Sequence, residues 1–81
     1  MARRTTRNGK TRRPITAIFG DRLREWRKEQ GFPLKHVAQD LGVSVSVVSQ
    51  WERGLRFPSA RNLDRLADYM RITVGELLTE K

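Results

Sequence analysis

The chain has 81 residues, with 17 Lys and Arg against nine Asp and Glu, a formal charge of +8 and a pI near 11.3. A chain of this length makes one domain and buries only about 60% of the surface its unfolded form exposes, which leaves little room for a second function. The absence of cysteine excludes disulfides and thiolate metal sites, and the basic balance favours polyanions: nucleic acid first, an acidic membrane or protein second.

Charge is distributed unevenly. Residues 1–16 carry Arg3, Arg4, Arg7, Lys10, Arg12 and Arg13 and no acid, with almost nothing apolar to bury, and are expected to form a disordered basic arm. The domain expected over residues 17–81 holds the other eleven bases and all nine acids, an ordinary net charge of +2. No apolar run follows the basic N-terminus and no stretch is long enough to span a bilayer, so neither a secretory signal nor a membrane role is expected.

A first helix is predicted from Ile18 to Gln30, where Phe19, Leu23 and Trp26 recur at helical spacing and Gly31 ends the run. The next begins near Leu34, entered through Pro33, buries Val37, Ala38 and Leu41, and stops at Gly42. A fourth is announced by Pro58 and the N-cap candidate Ser59, with Leu63, Leu66, Ala67 and Met70 on one stripe. A last short helix follows Thr73, whose spacing to Glu76 suits a capping box.

Between the second and fourth lies "VSVSVVSQWERG", Val43 to Gly54, which opens on a strand-like alternation. No partner strand is available elsewhere, and a lone strand would leave its amides and carbonyls unpaired. A helix is therefore expected over about 44–53, capped by Ser44, with Val48, Trp51 and Leu55 on one face. Leu34 to Arg53 then reads as helix, tight turn, helix, with small Ala38 allowing close approach and Gly42 supplying a positive φ.

The strings "LREWRKEQGF", "VAQDLGVS", "SQWERG", "FPS" and "ITVGELL" resemble, in that order, the helix-turn-helix domains of the phage repressor and Cro type, the XRE family. The resemblance covers about Phe19 to Leu78 and implies an all-α, compact five-helix bundle of the lambda-repressor type. It implies sequence-specific double-stranded DNA binding in transcriptional control, often repression, often as a homodimer. A cytoplasmic, nucleoid-associated protein of bacterial or phage origin is the matching expectation.

On that basis Ser44, Val45, Ser46, Ser49 and Gln50 are the candidate base readers, Gln50 by its match to a base-reading position and by the fit of an amide to adenine. Val45 can meet a thymine methyl, and for Val45 and Val47 alike base contact, packing on a slightly rotated helix and partner surface stay open. Lys35, Gln39, Arg53, Arg56 and Arg61 are phosphate candidates, His36 a weaker one, and the six arm bases are candidates for phosphate or minor-groove contact. Arg27 and Glu52 match a pair that joins the recognition helix to helix one. The chain departs from the family at Pro33 and Leu34, where relatives begin helix two with Ser-Gln.

Two other function classes fit the same residues. The fold can serve as the protein-binding member of a pair, antitoxin-like, with Val45 and Val47 as partner surface, and an arginine-rich arm can bind RNA. A dimer, if formed, would use Ile72, Val74, Leu77 and Leu78, which equally can close the core. No phosphate-cradling glycine loop or paired metal ligands are present, so no enzyme activity, metal or cofactor is expected.

Overall fold

Five helices and no strand occupy residues 13–80, the part of the chain that the computed structural model describes: α1 (Ile15–Gln30), α2 (Leu34–Leu41), α3 (Val45–Glu52), α4 (Ala60–Met70) and α5 (Val74–Leu77). Their ends have chemical causes. Gly31 and Gly42, at φ 74° and 69°, take the left-handed conformation that closes α1 and α2. The Ser59 hydroxyl accepts from the Asn62 N–H at 3.2 Å. Thr73 and Glu76 form a complete capping box, each side chain accepting from the other's N–H at 3.0 and 2.9 Å.

The α1 start differs from the sequence reading. Pro14 stands at the N-cap and its carbonyl accepts from Ala17 and Ile18, so the helix begins three residues before Ile18, within the span read as arm. Ile15 is exposed, so apolar periodicity carries no signal there. Arg13, counted among the arm bases, lies against the body, where its guanidinium bonds Asp21 and reaches Glu80 at 3.3 Å.

The core forms because α3 packs against both α1 and α2, with α4 and α5 closing the remaining side. Phe19 and Leu23 of α1, Val37 of α2, Val48 of α3, Leu66 of α4 and Leu77 of α5 are fully buried. The Trp51 ring meets the edge of Phe19 at 6.3 Å, and Phe57 covers Phe19 from the loop after α3 at 5.4 Å. Leu77, one of the four residues weighed for a dimer, closes the core, while Ile72, Val74 and Leu78 are half-buried against it.

A second cluster joins α1, α2 and α4. Trp26 meets the rings of Phe32 and Tyr69 edge-on at 5.8 and 5.2 Å, and the Tyr69 hydroxyl donates to Asp40. Burial, reinforced by that hydrogen bond, holds the Tyr69 hydroxyl protonated well above its usual range. In the unfolded chain tyrosine ionises near pH 10, so the stabilisation is present below about pH 10 and is lost as pH rises past it. Tyr69→Phe is expected to flatten the fall in urea midpoint between about pH 9 and pH 11 relative to the parent. An identical fall in both proteins would remove Tyr69 from that role.

Candidate nucleic-acid interface

The turn between α2 and α3 is fixed from both sides. Gly42 reverses the chain, the Val43 N–H donates to the Ala38 carbonyl at 3.0 Å, and the Ser44 hydroxyl accepts from the Val47 N–H at 3.1 Å. Val43 is half-buried and Ala38 fully buried, so the two helices meet over small, branched side chains. From α4, Arg65 Nη2 donates to the Leu41 carbonyl at 2.8 Å and supplies a partner to the open end of α2.

At about 100° per residue, Val45, Ser46, Ser49 and Gln50 fall within an arc of roughly 140° on α3, opposite Val48 and Trp51. Val45 and Ser46 are exposed and Ser49 and Gln50 are half-buried. Val47 does not belong to this outer face. It packs against the core and lines a groove with Val43, Trp51, Phe57, Pro58 and Asn62, because the loop after α3 folds back over that side of the helix. Leu55 departs from its expected place with Val48 and Trp51: α3 ends at Glu52, Gly54 turns the chain at φ 73°, and Leu55 is left 65% exposed.

Arg27 of α1 and Glu52 at the end of α3 tie the two helices together. The Arg27 Nε–H donates to Glu52 Oε2 at 2.6 Å and Nη2–H to Oε1 at 2.9 Å, a two-pronged contact, while Nη1–H donates to the Phe32 carbonyl at 2.9 Å. Both side chains are largely buried, with 12% and 5% of their surface exposed. Hydrogen bonding to Glu52 raises the Arg27 pKa despite desolvation. Directly beside this pair, Gly20 lets α1 approach the last turn of α3: a Cβ there would lie 2.6 Å from both the Trp51 and the Glu52 carbonyl oxygens.

Lys35 and Gln39 are exposed one helical turn apart on α2, and Arg53, Arg56 and Arg61 are exposed at the end of α3, in the loop and at the start of α4. His36 is occupied otherwise, stacked on Phe32 at 4.1 Å with Nε2 3.2 Å from Asp40. Arg3, Arg4, Arg7, Lys10 and Arg12 lie outside the described residues. Among the described residues no three His, Asp or Glu side chains converge as a metal site, and no helix is long and apolar enough to cross a membrane.

A helix-turn-helix family model matches residues 23–77, from the middle of α1 to the end of α5. The chain belongs to the helix-turn-helix family. It is similar to YazB of Bacillus subtilis, an uncharacterised transcriptional regulator of the helix-turn-helix type, with 42% identity over 60 residues, 74% of this chain and 87% of that protein. It is 35% identical over 65 residues to the transcriptional regulator SinR of the same organism, covering 79% of this chain but 59% of SinR. Among solved structures, the restriction-modification controller protein C.AhdI from Aeromonas hydrophila superposes with a TM-score of 0.69 at 37% identity, over 76% of this chain and 94% of that one. A structure of SinR in complex with DNA superposes with a TM-score of 0.67 at 34% identity, over 75% and 98%.

The five helices and the two-helix turn are thus those of a helix-turn-helix domain, with the departure at the start of α2 retained. Pro33 caps that helix by its extended backbone and offers no side-chain hydrogen bond. Gly20, Arg65 and the Tyr69–Asp40 contact were not singled out in the sequence. Only Gly20 carried a signal, as a glycine inside a helix that needs no kink.

Proposed function

We propose that this chain is a sequence-specific double-stranded DNA-binding transcriptional regulator that lays α3 in the major groove. The observation that carries the reading is the outer arc of Val45, Ser46, Ser49 and Gln50 on a helix tied to α1 by the buried Arg27–Glu52 pair. SinR, similar to this chain, has been solved in complex with DNA, which supports the same role here. Gln50 offers an amide to base edges, and Lys35, Gln39, Arg53, Arg56 and Arg61 are exposed and available to phosphates. The arm adds sequence-independent affinity. A homodimer on a palindromic site completes this reading; Leu77 is taken by the core, while Ile72, Val74 and Leu78 keep part of their surface open to such contact.

The protein-partner reading loses support from Val47, which is packed inward, leaving Val45 alone on α3 for that role. Selection of bound duplexes from a random library tests the proposal, and enrichment of one motif, palindromic if two copies bind, is expected. On that motif Gln50→Ala is expected to cost about 1–3 kcal/mol and to relax preference at one base pair. A selected pool no better bound than bulk DNA at moderate salt would sink the proposal, and tighter binding of RNA than of duplex would move it to the arm.

A further inference from the structure

We infer that the outer face of α3 is built for A·T pairs and that Val45 reads the 5-methyl group of a thymine in the major groove. The inference rests on the DNA-binding reading above and names what that face recognises. Three valines stand in the first half of α3, and the fold treats them differently. Val48 is fully buried and Val47 half-buried against the core, whereas Val45 keeps 43% of its surface exposed. It sits in the first turn, the part of a recognition helix that reaches base edges.

Its neighbours on the arc narrow the chemistry. Ser46, Ser49 and Gln50 are neutral, and no Arg or Lys stands between Ser44 and Gln50, so the N-terminal part of the face lacks the forked or charged donor that the common guanine contact needs. Arg53 is the first base, and it lies beyond the end of the helix at its C-cap. The Ser44 hydroxyl accepts from the backbone of the first turn. Beside the hydroxyls of Ser46 and Ser49, which suit either pair, stand an amide suited to adenine and one exposed branched apolar group suited to a methyl, two of the marks that an A·T pair presents in the major groove. A helical valine has essentially one χ1 rotamer, so its methyls are already fixed before contact and little side-chain entropy is lost on binding.

The test uses the full chain on the motif obtained by selection, with 2′-deoxyuridine replacing thymine at one position at a time. One replacement per half-site is expected to weaken binding about fourfold, the effect of one buried methyl, and the others to leave it unchanged. In Val45→Ala, which is exposed and improves helix propensity, the thymine and uracil duplexes are expected to bind equally. Replacing that A·T pair by G·C should weaken the parent, and 5-methylcytosine in the same place should recover part of the loss. Three results would overturn the inference while leaving DNA binding intact: a selected half-site dominated by G·C pairs, no sensitivity to any uracil, or a uracil effect that persists in Val45→Ala. Failure to select any motif would instead remove the reading on which it rests.

Discussion

Replacing Glu52 with alanine is expected to remove about 3–5 kcal/mol of stability, because it leaves the Arg27 guanidinium buried without its partner. Against a typical total of about 5–15 kcal/mol, that loss brings a domain of this size close to its unfolding midpoint at ambient temperature. Urea denaturation followed by far-ultraviolet circular dichroism measures it directly. The paired change Arg27→Met with Glu52→Leu removes both charges and is expected to recover most of the loss, since a buried ion pair contributes little net energy over well-packed apolar groups. A cost below about 1 kcal/mol for Glu52→Ala would mean the pair behaves like a solvated one, and its role in fixing α3 would fall with it. The double variant carries a second reading: if it folds but binds the selected site less tightly, the pair sets the helix angle.

Gly20→Ala is expected to be harmful although it places the best helix former inside a helix. The propensity gain is about 1 kcal/mol. Against it stands a Cβ placed 2.6 Å from two backbone carbonyl oxygens, which cannot swing aside as a side chain would. Either α1 or α3 must move, and because both close atoms are backbone the cost belongs at the upper end of the overpacking range of about 1–3 kcal/mol, a net loss of up to about 2 kcal/mol. The displaced part is the last turn of α3, where Glu52 meets Arg27, so binding to the selected site should weaken by more than the fraction unfolded accounts for. A higher melting temperature in Gly20→Ala would show that the two backbones are not in close approach.

These two residues also mark where sequence reasoning was strong and where it was blind. Arg27 and Glu52 were legible because a family resemblance paired them. Nothing local does so, as they stand 25 positions apart. Gly42, Ser59 and the Thr73–Glu76 box were legible for a local reason: a cap or a positive φ is chemistry between residues a few positions apart. Helix α3 was harder, because eight residues hold barely two turns and its valines alternate as in a strand. Absence of a partner strand decided for helix, yet could not say which valines faced in.

Leu55 falls off the stripe expected for it, while Val47, 40° from Trp51 at about 100° per residue, lies on the flank of the inner face and packs there, one of the readings open for it. Helical spacing describes a cylinder and says nothing of the loop at 53–59, which covers Val47 and carries Leu55 away from the axis. Tyr69 with Asp40, 29 positions apart, and Arg65 with the Leu41 carbonyl, 24 apart, are products of how α4 lies on α2. No periodicity along one helix contains that angle. The start of α1 was late by three residues because Ile15 faces solvent and adds nothing to an apolar stripe.

The contacts of Arg13 set a radius. Held to Asp21 and Glu80, it fixes the point from which the preceding chain departs, beside the last residues of the domain. Arg3 lies ten positions earlier, a span of at most about 36 Å when fully extended. One turn of duplex is about 34 Å long. Chain length alone therefore keeps any contact that the proposed reading gives to Arg3, Arg4, Arg7, Lys10 and Arg12 within about one turn of duplex from Arg13, wherever α3 has brought it.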